Sequence, residues 1–135
     1  MKKILYILLA LVAIVAAYSG SAVYKTINTI HFFEKFQGAV LSGNFDLASS
    51  MTKCKSLQII GSSVKYGDRD ITQELKVTKP IFGKILEFYL TDPERFTRHK
   101  IIFDGPWVKN TDGSMIKFSG YMFHDDEHLL SAKFY

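Results

Sequence analysis

The sequence ILYILLALVAIVAAYSGSAVY, residues 4–24, carries no charge and follows a basic start at Lys2 and Lys3. It is long enough to cross a bilayer, because a transmembrane helix needs about 20 predominantly apolar residues. A basic start and small residues before a cleavage point, here after Ala17 or Ala22, are also typical of a secretory signal peptide. We favour the uncleaved anchor, since the helical pattern continues beyond residue 30 without a proline or a loop-like break, and keep cleavage as the alternative.

The lysines ahead of this segment indicate the side of the membrane on which the rest of the chain lies. Positive charge before an apolar segment favours a cytoplasmic N-terminus, although Lys25 beyond the segment weakens that bias. The sequence therefore predicts a signal peptide or single transmembrane anchor at residues 1–24 and an extracytoplasmic domain at residues 25–135. The expected location is the inner membrane, crossed once, with the C-terminal domain in the periplasm or outside; the alternative is secretion after cleavage.

The charge of the chain limits the kinds of partner it can bind. The formal net charge of +4 falls to +2 without Lys2 and Lys3, and the remaining charges are spread along the chain. A nucleic-acid binder would show a clustered basic face, so we expect no nucleic-acid partner. One short basic cluster either contacts anionic lipid headgroups or forms an ordinary solvated face, which we favour; its members are Arg95, Arg98, His99 and Lys100.

The sequence pattern predicts helices in the first half of the domain and strands in the second half. This order predicts an α+β fold. An amphipathic helix is expected at 26–42, with Gly43 placed to end it and Asn44 placed to cap a second helix at about 45–52. The apolar faces of these helices are predicted to contain Ile30, Phe33, Phe36 and Val40 in the first and Phe45, Ala48 and Met51 in the second.

The middle of the chain is less regular. Residues 57–66 and 71–77 are predicted to form a hairpin across the turn-rich residues 67–70, with Ile71, Leu75 and Val77 on one face. Pro80 to Leu90 fits a helix that opens near Pro80, and it also fits a strand. We favour the helix.

The C-terminal third predicts an antiparallel sheet, with strands at about 97–104, 106–110, 114–123 and 129–135. Asp112-Gly113 within residues 110–113 is a strong hairpin signal, because glycine supplies the positive φ that such turns need. Alternation places Ile116, Phe118 and Met122 on one face, and Leu130, Ala132 and Phe134 continue the pattern. The buried face of this sheet is expected to cover the helix face of residues 30–40.

Residues 32–48, FFEKFQGAVLSGNFDLA, resemble the start of NTF2-like (cystatin-like) domains of exported bacterial proteins. Such domains begin with a long amphipathic helix, followed by Gly-Asn or Gly-Asp, an aromatic residue and a short helix with Ala, here Gly43, Asn44, Phe45 and Ala48. The resemblance implies a curved antiparallel sheet that wraps the long helix and a pocket between the two. It implies no single activity, because that fold hosts enzymes, ligand carriers and interaction modules.

The polar run His124-Asp125-Asp126-Glu127-His128 is the strongest candidate for chemistry. Imidazole and carboxylate groups are ligands for divalent metals, so His124, Asp126 and His128 are the candidate metal ligands. The alternative, which we favour, is a polar turn between the last two strands.

Other candidate residues are isolated. His99 with Asp104, or His31 with a carboxylate of the sheet, could form an acid–base pair, although a packing or interfacial role is favoured for His31. The single cysteine, Cys54, has no other cysteine with which to form an internal disulfide, and we interpret it as a structural thiol. Two aromatic side chains, Trp107 and Tyr121, either line a ligand groove or, as we favour, belong to the core.

The sequence shows no nucleophile–base set, metal shell or phosphate loop, so we expect no cofactor and favour a non-enzymatic binding or scaffolding module of the cell envelope. Its expected partners are the membrane and a protein of the envelope. The alternative is a pocket enzyme or small-ligand carrier on an NTF2-like frame. A concave pocket with convergent polar groups and a titratable residue of perturbed pKa favours this alternative, and a filled core excludes it. A third hypothesis is a subunit of a membrane complex, assembled through the small residues Ala10, Ala13, Ala16, Ala17 and Gly20.

Overall fold

The structure, a computed structural model, describes all residues from Met1 to Tyr135. One helix, α1 (Lys2–Leu41), contains both the apolar N-terminal segment and the expected amphipathic helix. Every residue before Ala22 is exposed, and Ala22 is the first buried side chain. At the rise of an α-helix the exposed half of α1, Lys2 to Ser21, extends about 30 Å, which matches the hydrocarbon thickness of a bilayer. By length and composition α1 is able to cross a membrane, a property that it shares with signal sequences.

The packed half of α1, from Ala22 to Leu41, presents one stripe to the rest of the domain. Its buried residues recur every three or four positions and include two threonines; they are Ala22, Thr26, Thr29, Phe33, Phe36, Ala39 and Val40. The predicted apolar face is confirmed, with Ile30 half-buried at its edge.

The end of α1 follows the predicted capping pattern. Gly43 has a φ of +75°, and its N–H donates to Val40 O while the N–H of Asn44 donates to Ala39 O. These two bonds satisfy carbonyls that the end of a helix leaves free. The Asn44 side chain then accepts from Leu47 N and caps α2 (Phe45–Ser50), as predicted.

The remaining elements alternate short strands and helices and end in a longer antiparallel sheet. In chain order they are β1 (Leu57–Ile60), β2 (Ser63–Tyr66), β3 (Arg69–Asp70), α3 (Thr72–Lys76), β4 (Lys79–Pro80), α4 (Phe82–Thr91), a 3₁₀ helix (Pro93–Phe96), β5 (His99–Lys109), β6 (Met115–His124) and β7 (Leu129–Phe134). One sheet has the order β1-β2-β3 and the other β4-β5-β6-β7, all antiparallel. The predicted α+β class is confirmed, and α4 confirms the helix favoured after Pro80.

The predicted hairpin of strands 57–66 and 71–77 is wrong. The first segment is itself a hairpin, β1–β2, because Gly61 has a φ of +60° and turns the chain. The second segment forms α3. The buried side chain of Ile71, just before this helix, lies one helical turn from that of Leu75. The Asp70 carboxylate accepts from the backbone N–H of Thr72 at 2.9 Å and so stabilises the start of this helix. Val77 is 57% exposed, so it does not share their face.

Two details of the C-terminal sheet also differ from the prediction. Strands 97–104 and 106–110 are one strand, β5, whose register with β6 shifts between Asp104 and Trp107; the shift accommodates Pro106, which has no N–H to donate to the ladder. In β7 the register shifts next to Leu130, so Leu129 is buried and Leu130 is exposed. The buried alternation of β6 at Phe118 and Met122 is confirmed.

The packed half of α1 lies against the larger sheet, with the rings of Phe33 and Phe103 stacked 6.0 Å apart. Phe103 in turn packs on Phe118 and Phe134 from the neighbouring strands. Four residues before Phe103, at the start of β5, His99 pairs with His124 at the end of β6. This end of the sheet therefore lies nearer to the exposed half of α1 than the aromatic core does.

Candidate functional site

A chain of hydrogen bonds connects α1, α4 and the larger sheet where His99 and His124 pair. Thr29 Oγ1 lies 3.1 Å from His124 Nε2 and 2.5 Å from Tyr89 Oη, and Tyr89 Oη lies 3.0 Å from His99 Nδ1. His124 Nδ1 lies 2.9 Å from the carbonyl oxygen of Asp125. Three elements that are distant in sequence thus meet in one polar network at the edge of the apolar core.

The direction of every bond in this network follows from one backbone group. The Asp125 carbonyl can only accept, so His124 Nδ1 carries the proton and donates to it. The other nitrogen of the neutral ring must then accept from Thr29, which leaves Tyr89 to donate to Thr29 and His99 Nδ1 to donate to Tyr89. The network is fully satisfied in this arrangement, which fixes the orientation of each side chain.

Burial keeps two members of the network neutral. The pKa of His124 is lowered to about 4, mainly by burial and also by the proximity of His99, while the hydrogen bond to Asp125 O opposes the shift. Burial also raises the pKa of Tyr89, against the lowering effect of its hydrogen bond with Thr29. His124 is 6% exposed and stacks on Phe32, with ring centroids 4.5 Å apart and an angle of 9° between the ring planes. At neutral pH His124 is therefore an uncharged, rigidly held acceptor.

His99 connects the network to solvent. Its Nδ1 is bonded to Tyr89, and its Nε2 has no partner in the protein. The one buried side-chain nitrogen or oxygen that lacks a partner is Nε of Arg95, so Nε2 of His99 is open to solvent. A ligand that reaches His99 thus meets a side chain whose tautomer the buried network has already set.

Two clefts open beside this end of the sheet and share His99, His124, Asp125 and Asp126. The α1 cleft, between α1 and the turn after β6, has a volume of about 740 Å³. Its wall on α1 consists of Ser21, Tyr24, Lys25, Asn28, Thr29, His31, Phe32 and Lys35. The β7 cleft, of about 390 Å³, lies toward Arg98 and Ser131. The α1 cleft has the size of a small-molecule site. It begins at Ser21, the last residue of the exposed half of α1.

The predicted metal ligands do not converge. Both ring nitrogens of His124 are engaged in the network, Asp126 is exposed, and His128 Nδ1 lies 3.8 Å from Asp125 Oδ1. No three His, Cys, Asp or Glu side chains are grouped so that they could hold a metal ion. The segment is the polar turn that we favoured, in which Asp125 Oδ1 accepts from the backbone N–H groups of Glu127 and His128 at 2.8 and 2.6 Å.

The other predicted candidates lie apart from one another. The structure does not bring His99 and Asp104 together, because they lie five residues apart on β5 and on opposite faces of it. Asp104 Oδ2 instead lies 3.1 Å from Lys117 Nζ. His31 is exposed on the wall of the α1 cleft. Cys54 is buried, with Sγ 3.0 Å from Ser56 Oγ. Trp107 is 63% exposed and therefore belongs neither to the core nor to the α1 cleft.

Sequence reasoning missed Thr29 and Tyr89, although each carries a weak signal. Thr29 occupies a position of the buried stripe of α1 where the helical period predicts an apolar residue. Tyr89 has the same place on α4, next to buried Phe88. A hydroxyl at such a position needs a partner inside the domain, but the partner itself follows only from the tertiary structure.

Replacing Thr29 by Val is expected to lower the free energy of unfolding by about 2 kcal/mol, because His124 Nε2 and Tyr89 Oη then lose their shared partner inside the core. Thr26→Val is the matched control: Thr26 is equally buried, one turn earlier, but its hydroxyl bonds only to Ala22 O in its own helix. Thermal or urea unfolding in mild detergent measures both variants. Equal destabilisation by the two substitutions would contradict a structural role for the network.

Comparison with known protein families, with curated proteins and with solved structures found no significant match to this chain. The NTF2-like resemblance of residues 32–48 therefore stays a prediction.

Proposed function

We propose that this protein is a membrane-anchored, extracytoplasmic binding domain whose α1 cleft takes up a small ligand that carries both an anionic group and an amine. The exposed half of α1 would serve as the anchor, and the packed half forms one wall of the cleft. The observation that supports the proposal is the pairing of a rigid polar network with an open cleft whose walls carry opposite charges.

The charges across the α1 cleft are not neutralised by the protein. Lys25 and Lys35 lie on the α1 wall and Asp126 on the opposite turn, and none of the three forms a salt bridge within 4.0 Å. Opposed, unpaired charges favour a ligand that brings a complementary charge to each wall. The rings of Tyr24 and Phe32 add apolar area, as binding sites for small molecules usually do.

One observation favours the alternative, a pocket enzyme. The bonds from Thr29 to His124 and from His124 to the Asp125 carbonyl resemble a hydroxyl nucleophile, its base and the group that orients the base. The hydroxyl, however, belongs to a residue that is 1% exposed and donates to His124 from inside the core. A substrate would have to reach that buried atom, whereas a ligand needs only the exposed nitrogen of His99. We therefore propose binding rather than catalysis.

The proposal predicts that sn-glycero-3-phosphoethanolamine, which carries a phosphate and an amine, shifts the imidazole NMR signals of His99 in the full-length protein in detergent micelles. Glycerol 3-phosphate and ethanolamine, which carry one group each, are expected to need at least about tenfold higher concentrations, since loss of one charge contact costs on the order of 1–2 kcal/mol. Asp126→Asn should weaken binding of the two-group probe by a similar factor.

Asp68→Asn is the matched control, because Asp68 is equally exposed and does not line the α1 cleft. Equal responses to all three compounds, or no response to any, would overturn the proposal. A second experiment compares nanodiscs with and without phosphatidylethanolamine, with no added probe. A shift of the His99 signals only in the phosphatidylethanolamine discs would identify a lipid headgroup rather than a free zwitterion as the source of the ligand.

A further inference from the structure

The exposed half of α1 contacts the domain through Tyr18, one turn before the packed half begins. The Tyr18 hydroxyl donates to the carbonyl oxygen of Leu90, near the end of α4, at 2.5 Å. The 3₁₀ helix Pro93–Phe96 follows α4 after one residue, and its Arg95 side chain lies over the Tyr18 ring. This short helix therefore lies at the height of Tyr18, within the stretch of α1 that is long and apolar enough to cross a membrane.

The short helix places an exposed aromatic ring and an arginine side by side. Phe96 is 73% exposed. The Arg95 guanidinium lies 4.2 Å from the Phe96 ring centroid and 5.9 Å from that of Tyr18, and its Nη1 donates to Asp92 O. Its Nε is buried without any hydrogen-bond partner. Single exposed aromatic rings are common on protein surfaces, but Phe96 lies with Arg95 beside Tyr18, on the stretch of α1 that is able to cross a membrane. Arg95 places a positive charge at the same height.

We propose that the Pro93–Phe96 helix lies in the headgroup layer of the bilayer that α1 crosses, with Phe96 at the acyl boundary and Arg95 and Arg98 beside anionic headgroups. The inference depends on the proposed anchoring of α1, because the bond from Tyr18 then fixes the depth of the helix. Aromatic side chains concentrate at membrane interfaces, and each basic residue near an anionic leaflet contributes about 1 kcal/mol of attraction. The domain would thus be held upright on the membrane by two contacts rather than one.

This contact would also orient the α1 cleft. The cleft begins at Ser21 and Tyr24, one to two turns beyond Tyr18 on the same helix. With the Pro93–Phe96 helix in the headgroup layer, the lower end of the cleft lies at the membrane surface. A ligand with an apolar portion could then enter from the bilayer.

The inference is tested with Trp fluorescence in vesicles that contain lipids brominated near the headgroup end of the acyl chains. Phe96→Trp in a Trp107→Phe background is expected to lose at least about half of its emission, since brominated chains quench an indole at the interface. The wild-type protein is the control: Trp107 is its one tryptophan and is 63% exposed. Trp107 lies about 26 Å along β5 from His99 and should be quenched little.

Vesicle flotation is measured on the same samples and separates the possible failures. If the protein floats with the vesicles but the Trp at position 96 is quenched no more than Trp107, the headgroup contact is wrong while the anchor stands. If the protein does not float, the anchor itself is wrong and the headgroup contact falls with it.

A second experiment tests whether the contact depends on the charge of the lipid headgroups. In phosphatidylglycerol vesicles Arg98→Gln is expected to reduce the quenching of the Trp at position 96, and Arg98→Lys to restore it, because the contact depends on positive charge. Lys109→Gln removes the same charge at the far end of β5 and should change nothing. Equal quenching in phosphatidylglycerol and phosphatidylcholine vesicles, unaffected by Arg98→Gln, would overturn the role of anionic lipid.

Discussion

Replacing Gly120 by Ala is expected to lower the free energy of unfolding by about 3 kcal/mol or more, the upper range for a side chain forced into a packed interior. Gly120 lies in β6, where it pairs with Phe103 of β5 on one side and with Phe134 of β7 on the other. A Cβ at this position would lie 2.0 Å from the carbonyl oxygen of Lys133. That atom belongs to the backbone of β7 and cannot rotate away, so β7 would have to separate from β6.

The same substitution at Gly83 is the matched control. Gly83 lies in the first turn of α4, where an added Cβ meets nothing within 4 Å. Ala restricts the unfolded chain more than Gly does, so Gly83→Ala should raise the free energy of unfolding by about 0.4–1 kcal/mol. Urea unfolding followed by circular dichroism measures both variants in the same detergent. If Gly120→Ala unfolds at the wild-type midpoint, the register of β6 and β7 described above is wrong.

Long periodic segments and their caps were predictable from the sequence, and short segments were not. Phe33, Phe36 and Val40 repeat over several turns of α1, and Gly43 and Asn44 have side-chain properties that few other residues share. By contrast, Ile71 and Leu75 fit a strand face almost as well as one turn of helix. The choice of helix depends on the Asp70 carboxylate and on packing against α1, which a local pattern does not contain.

The candidate site shows the same limit more strongly. His99 and His124 are both candidates in the sequence, but as members of separate hypotheses. The hairpin turn at 110–113 was predicted, but strands 97–104 and 106–110 were predicted as separate, which left the pairing of these two residues open. Thr29 bonds to Tyr89, 60 residues away, and to His124, 95 residues away. Contacts at such separations are products of the whole fold. The sequence therefore predicts which residues are candidates for the site, but not which of them form hydrogen bonds with one another.

Between pH 7 and pH 4 the protein is expected to lose about 3 kcal/mol of stability through His124 alone. The pKa of this residue falls from its ordinary value of 6.5 to about 4 in the folded protein. As the pH falls, His124 therefore binds a proton near pH 6.5 in the unfolded chain but only near pH 4 in the folded protein. The contribution of His124 to stability is complete above pH 6.5 and declines as the pH falls toward about 4.

This pH window distinguishes His124 from the carboxylates. The pKa values of Asp70, Asp112 and Asp125 are lowered from 3.8, mainly by hydrogen bonds from neighbouring residues. Their contributions are lost only as the pH falls below that value, after the His124 effect is largely complete. Unfolding free energies measured at half-unit intervals from pH 7 to pH 4 would therefore isolate the histidine.

His124→Gln is expected to flatten the pH dependence of stability in this window, even though loss of the ring stacked on Phe32 lowers the stability at every pH. The amide oxygen can still accept from Thr29, so the slope reports on titration rather than on collapse of the site. His31→Gln removes an exposed imidazole outside the network and should leave the slope unchanged. A wild-type slope in the His124→Gln variant would show that another group takes up the proton. The buried network would then not be what makes the protein sensitive to acid.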